Sequence, residues 1–251
     1  VVRMANLRDA EGFVAVSGEA RKRFWSDRSR TAAIAAHTNA FKVNEDVVIP
    51  LDKLADYSEG VERINIECSI LNKLRIVEAT IDYFSQPLRD VEAAATHQTT
   101  EEFVEIVRAK QVAAREHLAQ VRTRWQTMLQ NLDRAAAEHR DLLDKHAAAK
   151  RALNDTLFSL LLRRELRVSF RAEVERPLKE IFAGGEFGGV RSKLDEIHKR
   201  ILSSRLFVAL HMHAGDGNVH TNIPVNSNDY TMLQEADEIV DRIIYSIDEL
   251  T

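Results

Sequence analysis

The chain has 251 residues, 45% hydrophobic and 29% charged, enough apolar content to build a core and too much to be disordered by composition. Its 35 basic and 39 acidic residues leave a formal charge of -4, with no electrostatic footprint for nucleic acid. No apolar run approaches the 18 or so residues a membrane span needs, and the single cysteine, Cys68, excludes an internal disulfide or a cysteine-held iron–sulfur cluster.

A reducing, cytoplasmic setting fits that cysteine usage. The chain opens Val1-Val2-Arg3, without an initiator methionine or a signal-peptide pattern, and ends at Thr251 within a helical pattern. It therefore reads as a fragment.

In chain order, residues 17–38 read as a helix and Glu45 to Pro50 as a short apolar strand. A long helix is expected over 51–84, with Leu54, Val61, Ile64, Ile70, Leu71, Leu74, Val77 and Ile81 on its buried side. From Pro87 to Pro177 there is neither glycine nor proline, a run that helices tolerate and β-turns do not. Thr99 and Glu102 have capping-box spacing. A heptad can then be counted through Val104, Leu118, Trp125 and Leu132 to His139 and His146, with Val107, Ala114, Val121 and Met128 between them.

The spacing predicts a coiled-coil-like arm: a helix running from 100 towards 153, a break or cap at Asn154-Asp155-Thr156, and an antiparallel second helix over 155–182. His139 and His146 on that seam read as polar register residues more readily than as ligands. Gly184-Gly185 and Gly188-Gly189 mark a loop, followed by a helix near 190–204, a hairpin over 206–225 and a last helix from about 229.

The fold class expected is α+β: a small antiparallel sheet with helices, interrupted by a long inserted antiparallel helical arm. The domain reading is 1–86 for the first part of a cap, 87–189 for the arm, and 190–251 for the second part with the hairpin.

That hairpin carries the chemistry. Gly215-Asp216-Gly217-Asn218 is expected to form the turn, since Gly, Asp and Asn accept the positive φ such turns require. His213 would then face His220, and His211 would face Asn222. Period-2 alternation puts Val208, Leu210, Met212, Val219, Thr221, Ile223 and Val225 on one face and His211, His213, His220 and Asn222 on the other. Cross-strand neighbours lie ~5 Å apart at Cβ, a spacing from which two imidazoles can share a cation. The third ligand is left open between His211 and a carboxylate from elsewhere, and Asp216 reads as a turn former. A surface histidine cluster is the plainer alternative.

The segment His213-Ala-Gly-Asp-Gly-Asn-Val-His220 resembles the H-x-G-D-G-N-x-H motif of the FAD-linked oxidase C-terminal (cap) domain, found in vanillyl-alcohol-oxidase-type flavoproteins such as D-lactate dehydrogenase, the glycolate oxidase flavin subunit and D-2-hydroxyglutarate dehydrogenase. Phe24-Trp25-Ser26-Asp27-Arg28 is similar to the family's W-x-x-R helix, and the segment from Phe41-Lys42 to Ile49-Pro50 to its K-x-D-(apolar)-P strand with an insertion.

The resemblance implies a substrate- and metal-binding cap of an FAD-dependent dehydrogenase for a 2-hydroxyacid, with FAD bound mainly by a domain outside this chain. It implies that His213 and His220 bind a divalent metal, typically zinc, and that Arg28, Lys42 and Asn222 bind the substrate. His211, His213 and His220 form the candidate catalytic cluster, and Asn218 is a candidate for flavin contact. The implied partners are the flavin domain, an iron–sulfur electron-transfer domain of the same protein and, through the arm, a second copy of the chain.

The family's third metal ligand, a glutamate in a Glu-His-Gly segment, has no counterpart before Thr251, and its threonine one turn after the arginine falls at Ala32. In an Arg-rich helix (Arg21, Arg23, Arg28, Arg30), a surface salt bridge is the other reading of Arg28. Two other function classes stay open: a zinc hydrolase, from the His211-Met212-His213 pair, and a structural or interaction module built on the arm.

Overall fold

A computed structural model of the chain describes residues 14–31, 40–88, 91, 101–143 and 155–250, without the side chains of 27–31, 40–41 and 246–250. Among these residues the architecture is α+β, a three-stranded antiparallel sheet within a largely helical chain. In chain order come α1 (Gly18–Thr31), β1 (Ala40–Val48), α2 (Leu54–Phe84), α3 (Glu101–Gln130), α4 (Leu157–Leu162), α5 (Arg176–Ile181), α6 (Gly188–Leu202), β2 (Ala209–His213), β3 (Asn218–Asn226) and α7 (Tyr230–Leu250).

The sheet order is β1-β3-β2, so β3 is flanked on both sides. Alternation buries one of its faces: Val219, Ile223 and Val225 pack with Ile49 just after β1, with Tyr57, Val61 and Ile64 of α2, and with Met232, Ala236, Ile239 and Ile243 of α7. Each Val, Ile or Met side chain among them contributes roughly 1.5–3 kcal/mol when fully buried. Two polar anchors set the strands on this layer. The Asn65 side chain donates to the Val208 carbonyl at 3.0 Å and accepts from the Val208 N–H at 2.7 Å, which moors the chain entering β2 to α2. The buried Thr221 hydroxyl donates to the Glu45 carbonyl at 2.9 Å, fastening β3 to β1. Asp229 caps α7 by accepting the Met232 N–H at 3.0 Å.

α2 is shared between two cores. Its first half faces the sheet, and its second half (Ile70, Leu74, Val77, Phe84) packs on α3 through Val107, Ala114, Leu118, Val121 and Trp125. The expected heptad positions are therefore the buried ones, but the long helix lying against them is α2. Contacts of Gln111 with Phe84, Arg122 with Glu78 and Arg63 with Asp133 show the two running antiparallel.

The coiled-coil-like arm is corrected in two respects. α3 stops at Gln130, after which Ala136–Leu142 forms a 3-10 segment in which His139 has φ -128° and ψ 48°, off any continuous seam. The expected second helix over 155–182 is broken into α4, a π-helical turn at Arg171–Glu175, and α5. Thr156 caps α4 by accepting the Ser159 N–H at 3.1 Å, where the sequence places a cap, and Pro177 sits in the first turn of α5. The expected capping pair at Thr99 falls outside the described residues, as does His146. No helix among the described residues is long and apolar enough to cross a membrane.

Candidate functional site

The sheet face turned away from the core gathers the polar residues. Its three strands align them in rows: Val48–Asn218–His213, then Asp46–His220–His211, then Asn44–Asn222–Ala209, with Lys42 beside Pro224 one row further on. The sorting of side chains agrees with the alternation in the sequence, but the register differs. The turn comprises residues 214–217, one step earlier than expected. His211 thus faces His220 and His213 faces Asn218, in place of the expected His213–His220 and His211–Asn222 pairs. A shift of one step in the turn moves the pairing by two residues, so the faces are unchanged.

Two contacts explain the turn's position. Asp216 accepts the Asn218 N–H through Oδ1 at 3.2 Å, and its own N–H donates to the His213 carbonyl at 3.1 Å, so Asp216 shapes the turn. Gly217 has φ +75° and its carbonyl accepts the Ile49 N–H at 2.9 Å. A Cβ there would lie 2.1 Å from the Ile49 oxygen, so only glycine lets the turn lie against the end of β1.

The three imidazoles form a nearly equilateral triangle. Ring centroids are 5.7 Å apart for His211–His213, 6.0 Å for His211–His220 and 5.8 Å for His213–His220. His211 and His213 are exposed and His220 is half-buried. Nδ1 of His220 lies 2.7 Å from Oδ1 of Asp46. This carboxylate was missed in the sequence reading, although it belongs to the strand motif that includes Lys42. Its partner lies 174 residues away, and nothing local signals the pairing.

The other expected site residues are distributed as follows. Asn222 shares the face, one row from His220, and Asn218 lies half-buried beside His213. Lys42 is on the same face but four residues along β1 from Asp46, about 13 Å at strand spacing. Arg28 lies in α1, its side chain outside the described residues. The structure thus brings together His211, His213, His220, Asp46 and Asn222, with Lys42 at the far end.

Imidazole donors suit zinc and its divalent neighbours, so the donor chemistry fits a divalent ion. Among the described residues, no group of three or more His, Cys, Asp or Glu side chains is placed to hold a metal ion. The centroid triangle is slightly wider than a tetrahedral ion requires, since three imidazoles at metal–nitrogen distances of 2.0–2.1 Å would hold their centroids about 5.2 Å apart.

Compared with known proteins, the chain matches the family model for FAD linked oxidases, C-terminal domain, over residues 2–71 and 190–250. The matched segments make up just over half of the chain and include β1, the hairpin and all of α7. The stretch holding α3, α4 and α5 falls outside the match. No curated protein and no solved structure matches the chain.

Proposed function

From the premise that this chain belongs to the C-terminal domain family of FAD linked oxidases, and so to a FAD-dependent oxidoreductase, we propose that it is the cap that holds a D-2-hydroxyacid such as D-lactate, glycolate or D-2-hydroxyglutarate for oxidation by flavin. The observation that carries the reading is the triangle of His211, His213 and His220 beside Asn222, on the open face of a sheet whose opposite face is core. A flavin domain of the same protein would complete the site over that face, near Asn218.

His213 and His220 would hold the divalent ion, zinc by the nature of the donors. When bound, such an ion would make the 2-hydroxyl more acidic, and FAD would supply the two-electron oxidant. The chain's own residues bind and orient. The Asn222 amide offers both a donor and an acceptor to the substrate oxygens. Lys42 and Arg28 supply positive charge for the carboxylate, the lysine as a point charge and the arginine as a planar fork.

Residues 87–189 are read as an arm inserted between the two cap segments, 1–86 and 190–251. An iron–sulfur electron-transfer domain or a second copy would dock on it, in a cytoplasmic setting. The family match favours flavin chemistry over the hydrolase reading.

The test is dye reduction by the full-length protein with each of the three hydroxyacids. His213→Ala and His220→Ala should each lower turnover on the order of 100-fold or more, with unchanged thermal melting. Undiminished turnover in both variants would falsify the assignment.

A further inference from the structure

α3 buries one flank on α2 through Val107, Ala114, Leu118 and Val121 and leaves another uncovered. At about 100° of turn per residue, Glu101, Val104, Glu105, Arg108, Val112 and Arg115 all fall within about 50° of one line along the helix. The four charged side chains and Val112 are exposed, and Val104 is half-buried. Along this stripe the charges are segregated: both glutamates precede both arginines, with one valine in each half.

We infer that the stripe is a self-association surface, on which a second copy of the chain packs its own α3 antiparallel about a twofold axis beside Arg108. The inference rests on the docking role proposed for the arm and commits it to one partner.

Symmetry carries the argument. A twofold contact must be self-complementary, since residue i meets residue j and j meets i. Residues 101 and 115 each lie seven positions from 108, and 104 and 112 each lie four. Two antiparallel copies centred on Arg108 therefore set Glu101 opposite the partner's Arg115 and Val104 opposite the partner's Val112. Glu105 falls within one turn of the partner's Arg108, so each arginine at the axis is flanked by a glutamate. A parallel pair would set glutamate on glutamate and arginine on arginine, so the pattern selects the antiparallel one.

These charges are available to a partner. Further along α3, Arg122 and Arg124 are paired inside the chain with Glu78 and Glu173. Among the described residues, no ion pair or hydrogen bond engages the side chains of Glu101, Glu105, Arg108 or Arg115. A groove of about 470 Å3 lies beside the stripe, against the end of α2; Phe84, Phe103 and Val107 line it together with Val104 and Val112, and it receives the partner's valines. The stripe covers about 21 Å of helix, which places the contact in the small, weak class whose assembly depends on concentration.

The experiment is sedimentation equilibrium of the whole chain over a concentration series reaching several hundred micromolar, in low and high salt. A monomer–dimer equilibrium is expected, weakened by salt. Glu101→Arg and Arg115→Glu should each weaken association on the order of 10-fold, because symmetry enters each change twice. Both changes in one chain restore the two Glu–Arg pairs with their signs exchanged, so the double variant should dimerise nearly as the parent does. All three should keep the parent's far-UV circular dichroism.

A chain that stays monomeric throughout overturns the inference. So does a dimer that both single variants leave unchanged, or one that the double variant fails to restore, as a docking face for an unrelated protein would. None of these outcomes touches the flavin assignment, which dye reduction tests separately.

Discussion

The sheet and the arm use polar residues in opposite ways. Where the arm packs on itself and on α2, they satisfy one another. Glu173 accepts from Arg124, from the Trp125 indole at 3.1 Å and from the Ser169 N–H at 2.8 Å, while its own carbonyl meets His117 at 2.7 Å. Arg63 meets Asp133 through two hydrogen bonds of 2.6 and 2.8 Å. On the sheet, three imidazole rings lie 5.7 to 6.0 Å apart, and among the described residues only His220 of the three meets a carboxylate, Asp46. Paired polar groups hold a fold together, whereas converging donors on an open face are what a ligand can use. The comparison assigns architecture to the arm and leaves the sheet face as the candidate for chemistry.

Three substitutions test that division. Trp125→Ala removes a fully buried ring from the core between α2 and α3 and frees part of Glu173, so a loss of about 3–5 kcal/mol is expected in denaturant melts. Hydrogen exchange should rise in α3 and α5 and much less in β2 and β3. Equal deprotection of both regions would show that they are not separable.

Gly217→Ala strains the positive φ and drives a Cβ into the Ile49 carbonyl, at a cost of about 2–3 kcal/mol. Because the turn also sets the histidine register, metal uptake should fall with stability, whereas Trp125→Ala should spare it at temperatures where the chain stays folded.

The smallest effect expected is for Asp133→Asn. The hydrogen bond from Arg63 holds the Asp133 carboxyl below the usual carboxylate range. A depressed carboxylate stabilises the fold above its unfolded pKa, and that stabilisation is lost as pH falls through the folded value. Asp133 is 73% exposed, which limits the pair to under about 1 kcal/mol. The melting difference between parent and variant should therefore be small at neutral pH and vanish in acid. A difference that grows in acid would contradict the pairing.

Much of the fold was legible in local pattern. The helix expected over 51–84 is α2 at Leu54–Phe84, and the cap expected at Asn154-Asp155-Thr156 is Thr156. β1 begins at Ala40, five residues before the expected strand, because the alternating polar residues Lys42 and Asn44 hide its start from a search for apolar runs. The end of α3 at Gln130 was not legible either. The residues beyond it keep helical composition, and the chain turns there because Ala136 and Leu142 join Met128 in a separate core with Leu157, Leu160 and Leu166.

By itself, the sequence determined which hairpin residues share a face, because side-chain direction alternates residue by residue and survives a slip of the turn. It also determined that the turn needs glycine and that the hairpin motif is that of a flavin-linked family. Only the tertiary structure decided that β1 lies beside β3, that Asp46 meets His220, and that α2 serves both cores. Those outcomes depend on pairings between segments distant in the chain, whose partners are selected by packing and not by any local preference.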